Sequence, residues 1–266
     1  MKITEVDSNN RISVPKTNRN KVICDSIKPP LPNKPATFLI SARPNSGKGV
    51  LCESIIKKQY KRCFDSVIVC MPPTSRSCFK NSILQHADEK KVFDDLNEET
   101  VEEIYELVVQ TRDEGDEQEP PEEYYSLLLL DDVQAALRNK HVERKFRAML
   151  ANYRHLNLTI LCSVQTIMSI SKSCRDLFRC LMQFREPSRL VRQRLHDEWA
   201  GQLDKEQFAK LLEYVWDKKH SFLFIDREKN QFCKNLNVLK LQVRPKEHEE
   251  NPTSSTHTQT AHAKAS

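Results

Sequence analysis

FLISARPNSGKGVL, residues 38–51, decides how the rest of the chain is read. An apolar run of strand length ends at Ser41, a polar turn follows, and an apolar helical pattern resumes at Val50. The chain has only four glycines, and Gly47 and Gly49 flank Lys48 in this turn. Glycine there lets backbone N–H groups approach an anion with no Cβ in the way. Ala42 to Gly49 resembles a phosphate-binding loop of the form [Ala or Gly]-x-x-x-x-Gly-Lys-[Ser or Thr]. In that reading the amides of Asn45, Ser46, Gly47, Lys48 and Gly49 cradle a β-phosphate, a helix starting near Lys48 adds its dipole, and the Lys48 ammonium reaches the β- and γ-phosphates. Gly49 breaks the last position: a hydroxyl there gives Mg²⁺ one ligand, and glycine gives none. Gly-Lys-Gly alone is equally a turn with a solvated lysine.

Working outward, further strand-like runs appear at Ser66–Met71, Tyr125–Asp131, Leu158–Val164 and Cys180–Phe184, beside Thr37–Ser41. Near-continuous apolar runs of this length suit strands covered on both faces. Helical stripes alternate with them. Asn97 caps one containing Val101, Ile104, Tyr105 and Val108, with Glu98 and Glu99 near its positive end. Val142, Phe146, Met149, Leu150 and Tyr153 form a second stripe. Asp204 and Gln207 open a third, carrying Phe208, Leu211, Leu212, Val215 and Trp216. SFLFID and QFCKNL, joined by REKN, predict a terminal β-hairpin. The pattern is α/β with a mostly parallel sheet flanked by helices.

The 266 residues are 38% hydrophobic and 30% charged, which fits one globular domain. The expected organisation is an extended N-terminal arm over 1–35, a domain over 36–243 containing an acidic insert at 98–123, and a disordered tail over 244–266. No apolar run approaches the roughly 18–20 residues of a membrane span. The N-terminal residues lack the pattern of a secretory signal, so an intracellular protein is expected. Nine scattered cysteines with no Cys-x-x-Cys pair read as reduced, buried thiols. The net charge of +5 is modest, but Arg185, Arg189, Arg192 and Arg194 crowd together, as a solvated face or as a contact for nucleic-acid phosphates.

YYSLLLLDDVQ, residues 124–134, supplies the second half of a site. A buried strand ending in carboxylates is where open α/β sheets place ligands. Asp131 is the candidate holder of Mg²⁺, and Asp132 the group that orients or deprotonates an attacking water. A helix N-cap explains one of these aspartates and not both. Gln165 closes RHLNLTILCSVQT; a strand inserted between the first and third would set it beside a γ-phosphate, while a glutamine at a strand end is otherwise surface filler.

FLISARPNSGKG, LLLLDD, YRHLNLTILCSVQT, CRDLFRCLMQF and HSFLFIDREKNQF together resemble the viral genome-packaging ATPases of the poxvirus type, within the FtsK/HerA superfamily; the likeness spans about residues 36–237. That resemblance implies a RecA-like P-loop core, Mg²⁺-dependent ATP hydrolysis and a homo-oligomeric ring that drives double-stranded DNA into a preformed capsid, with a capsid or portal-vertex partner. It implies a place in host cytoplasm or nucleus, or with the virion. Lys48 matches the phosphate lysine, Asp131 the metal aspartate, Asp132 the catalytic acid and Gln165 the strand-four glutamine. In the family arrangement an arginine of one subunit completes its neighbour's site; Arg154 is the first candidate and Arg175 the second. Gly49 departs from the pattern and keeps a nucleotide-binding, hydrolysis-deficient assembly subunit in view. A mobile-element DNA motor of the same superfamily is the other alternative.

Overall fold

The computed structural model describes residues 22–76 and 88–241. Two strands that are near-continuously apolar in sequence form its centre: β4 (Ser126–Asp131) and β5 (Leu158–Val164) are buried along their whole length. They lie in a nine-stranded sheet with β1 (Thr37–Ser41), β2 (Ser66–Cys70), β3 (Val92–Phe93), β6 (Cys180–Phe184), β7 (Phe222–Asp226), β8 (Gln231–Lys234) and β9 (Asn237–Val238), in the order β3-β2-β4-β5-β1-β6-β7-β8-β9. From β3 to β6 all pairings are parallel, and β7, β8 and β9 add antiparallel. The expected α/β sheet and terminal hairpin are both present.

The pleat divides the strand side chains between two cores. Leu39, Leu128, Leu130, Ile160 and Leu181 join one cluster; Phe38, Ile40, Leu127, Leu129 and Met182 join the other. A strand buried on both faces needs an apolar residue at every position, which is why these segments read as runs rather than alternations. Each fully buried leucine contributes about 1.5–3 kcal/mol of transfer free energy. Truncating Leu128 or Leu129 therefore weakens a different layer.

The first cluster is roofed by α2 (Glu98–Asp116), α3 (Lys140–Asn152), α4 (Lys172–Arg175), α5 (Arg189–Trp199) and α6 (Lys205–Val215). The helix starts follow the caps read from sequence: Asn97 Oδ1 accepts from Thr100 N at 2.9 Å, and Asp204 and Gln207 form a reciprocal capping box. In the acidic stretch 98–123, α2 turns Val101, Ile104 and Val108 inward, and Glu102 pairs with Lys145 at 2.5 Å and His141 at 3.2 Å on α3. The second cluster is covered by α1 (Lys48–Ser54), which continues as a π-helical turn over Ile55–Gln59. Ile27 and Leu31, within the segment expected as an extended arm, are buried against it, and Tyr60 Oη donates to Pro32 O at 2.7 Å. The 244–266 tail, residues 1–21 and Cys78 lie outside the described residues. The other eight cysteines are free thiols, seven of them buried. Among the described residues no helix is long and apolar enough to cross a membrane.

Candidate nucleotide site

Parallel strands bring their carboxyl ends to one edge, and the register decides what meets there. β5 sits between β4 and β1; Asp131 pairs with Ser163, and Ser41 with Val164. After Ser41 the chain turns through Asn45 (φ 61°) and Gly47 (φ 92°) before α1 begins at Lys48. Gly47 is needed here, because φ near +90° is strained for any residue with a Cβ. Gly47 caps α1 without a side-chain acceptor, so the first-turn N–H groups are not taken by a cap of its own. Such a turn presents donors and the positive end of the helix dipole to an anion.

Lys48 turns back from α1 onto the end of β4. Its Nζ lies 2.5 Å from Asp132 Oδ1 and 3.3 Å from Asp131 Oδ1. The Asp131 side chain is 4% exposed and that of Asp132 is 27% exposed, because Asp132 takes a left-handed conformation (φ 54°) that swings it out of the strand line. Aspartate tolerates that region better than most residues. Burial opposes the charge on Lys48, but Asp131 and Asp132 outweigh it and hold the ammonium above its ordinary pKa. Burial also pushes the Asp131 carboxyl up, Lys48 offsetting only part of the effect. The lysine is thus the counter-charge for two adjacent acids.

The donor that fits a hard divalent cation is Asp131, which places its carboxylate at the strand end with Oδ1 buried and without a hydrogen-bond partner. Gly49, half-buried in the first turn of α1, adds no oxygen. Gln165 is exposed one residue past Val164, and its N–H donates to Gln134 Oε1 at 3.3 Å, tying the exits of β4 and β5 together. The three segments expected to converge, around Lys48, Asp131–Asp132 and Gln165, therefore share one edge.

The two arginine candidates are elsewhere. Arg154 precedes β5, at the opposite edge of the parallel strands; its side chain is half-exposed, with Nε donating to Tyr153 Oη at 2.9 Å and Nη2 3.4 Å from Glu228. Arg175 is enclosed: it is 5% exposed, makes a two-pronged ion pair with Glu198 at 2.7 and 2.8 Å, and donates to the carbonyls of Ile167 and Ile170. Within this chain its guanidinium is committed to those partners. His220 was not anticipated; its Nδ1 lies 2.9 Å from Ser46 O in the loop, across 174 residues of sequence that carry no signal of the contact.

No protein-family model matches the chain, and no curated protein does. Solved structures do. The genome packaging NTPase B204 of Sulfolobus turreted icosahedral virus 2, in complex with ATP-gammaS, matches with a TM-score of 0.55 at 14% identity, over 77% of this chain and 98% of that one. This is the P-loop NTPase fold. B204 of Sulfolobus turreted icosahedral virus, a DNA-packaging ATPase, matches with a TM-score of 0.53 at 15% identity over 77% and 98%. EssC (ATPases 2 and 3) of Geobacillus thermodenitrificans matches with a TM-score of 0.54 at 9% identity, over 86% of this chain and 46% of that one. At such identities the likeness is one of fold. Within a P-loop NTPase fold, the turn after β1 and the acids after β4 are the places where phosphate and metal chemistry is located.

Proposed function

We propose that this chain is an ATP-driven motor acting on double-stranded DNA, and that its task is packaging a viral genome into a capsid. The observation that carries the reading is Lys48 held against Asp131 and Asp132 at the common edge of β1 and β4. The near-complete span of B204, against 46% of EssC, also favours a packaging ATPase over one module of a larger machine.

In this reading Lys48 exchanges its acids for the β- and γ-phosphate oxygens, and the amides of Asn45 to Gly49 hold the β-phosphate, that of Ser46 after releasing Arg43 O, to which it donates at 3.2 Å. Asp131 would hold Mg²⁺, whose chemistry is to shield phosphate charge. Asp132, half free of the strand, orients or deprotonates the attacking water, and Gln165 contacts the γ-phosphate. Arg154, exposed at the far edge, completes the site of the next subunit in a ring; Arg175 is the second candidate for that role.

Arg185, Arg189 and Arg192 line one groove of about 830 Å³ between α5 and α6, while Arg194 turns toward Glu198 at 3.8 Å. β6 leads into this groove and pairs with β1 through Gln183 and Ser41, so the groove and the phosphate loop share an edge of the sheet. Lys205 adds to the arginines, and Glu186, Glu213 and Asp217 also line the groove, so DNA phosphates are the expected partners of its arginine side and not of the whole groove. The test is ATP turnover by the purified full chain with and without duplex DNA. Arg189→Ala with Arg192→Ala is expected to weaken duplex binding and to reduce the log–log salt slope by roughly two. An unchanged slope would remove this groove from the DNA path.

Gly49 favours a second reading, a nucleotide-binding assembly subunit that does not hydrolyse. Gly49→Thr separates the two: a motor with a water in place of the hydroxyl should gain a few-fold in turnover at limiting Mg²⁺, as expected for one added oxygen ligand. Activity appearing only in the variant would mean the native site is catalytically silent.

A further inference from the structure

We infer that His220 is a positioning residue for the phosphate-binding loop, an inference that rests on the nucleotide reading above. It stands two residues before β7, and because β7 runs antiparallel to β6, with Phe184 opposite Phe222, the start of β7 returns to the edge where β1 ends. The imidazole Nδ1 lies 2.9 Å from Ser46 O. A carbonyl only accepts, so Nδ1 carries the proton in both the neutral and the charged ring.

Two further features show that the contact is built in. His220 adopts φ 67°, a left-handed conformation uncommon outside glycine, asparagine, aspartate and histidine. A Cβ placed on Gly47 would lie 3.2 Å from the same Nδ1, so the ring edge occupies the space a side chain at 47 would need. Glycine at 47 therefore serves both the turn and the histidine.

The consequence lies in the peptide between Ser46 and Gly47. In a trans peptide the carbonyl and the following N–H point to opposite sides. Drawing the Ser46 carbonyl toward His220 turns the Gly47 N–H away from the imidazole, and this N–H is one of the donors the β-phosphate needs. Without the histidine the peptide is free to rotate, and part of the binding energy is spent on reorienting it. His220 also closes the turn that starts at Trp216 and Asp217, both of which line the arginine groove. The same short turn thus touches the nucleotide loop and the candidate DNA surface.

The experiment measures ATPγS affinity by calorimetry, and the KM and kcat for ATP, on the full chain. His220→Gly relaxes φ and removes the donor; His220→Gln carries an amide too far along the side chain; His220→Asn places an N–H near the Nδ1 position and tolerates the same φ. The glycine and glutamine variants are expected to lose about five- to ten-fold in affinity, appearing in KM with kcat nearly kept, the worth of one hydrogen bond. The asparagine variant should bind within about two-fold of the native chain. Should glycine at 220 prevent folding, the glutamine and asparagine pair decides. Equal affinity in all forms would overturn the positioning role alone. Equal weakness in all three variants, with matching losses in melting temperature, would reduce His220 to a packing residue. A native chain that does not bind ATPγS would take the nucleotide reading down with it.

Discussion

Lys48→Ala is expected to lower ATP turnover by about 10²–10³-fold, the usual loss when one preorganised donor is removed from a developing phosphoryl charge. The structure adds a second signature. Lys48 is the counter-charge for Asp131, which is buried and already shifted upward by that burial. Without the ammonium the shift grows. A carboxyl whose folded pKa exceeds its unfolded one gives stability at low pH and loses it as pH rises through the folded value. The alanine variant should therefore melt closest to the native chain near about pH 4, the ordinary aspartate range, and fall progressively behind toward neutrality. Turnover within a few-fold of native, or a melting deficit independent of pH, would show that the ammonium is not tied to these acids in solution.

Asp132→Asn should separate binding from chemistry. Asp132 lies 2.5 Å from Lys48 yet keeps 27% of its side chain exposed, whereas Asp131 is enclosed. An amide of the same shape fits the left-handed turn at 132, since asparagine tolerates it as well as aspartate. It cannot take a proton from water. A loss of about 10²–10⁴-fold in turnover is expected, the range for removing a general base, with ATPγS affinity nearly retained. Loss of affinity instead, with residual turnover intact, would assign Asp132 to holding Lys48 and leave the water to another group.

The central sheet was legible because of where it sits. β1, β5 and β6 fall at the residues read from sequence, and β2 and β4 within one residue, since burial on both faces leaves runs that nothing but a covered strand explains. The capped helices α2 and α6 were equally plain, as their first turns carry their own instructions. α5 is faint in sequence: Val191, Leu195 and Trp199 are spaced at four, but the stripe is only three residues wide amid a charged and polar segment. The setting of Arg175 is hidden from the sequence for the opposite reason. A sequence shows a guanidinium but not its confinement, and the acid that binds it, Glu198, lies 23 residues away. His220 and Ser46, on segments joined only by the antiparallel return of β7, show the same limit over a longer span.

The sheet tapers at its two borders. β3 and β9 are two residues long, while β4 and β5 near the middle have six and seven. A long bare strand invites another molecule's strand to add to it, and intermolecular β-addition propagates into fibrils. Among the described residues, borders this short deny a template of useful length. Among the described residues, the borders of this sheet therefore offer little backbone for a second sheet to extend.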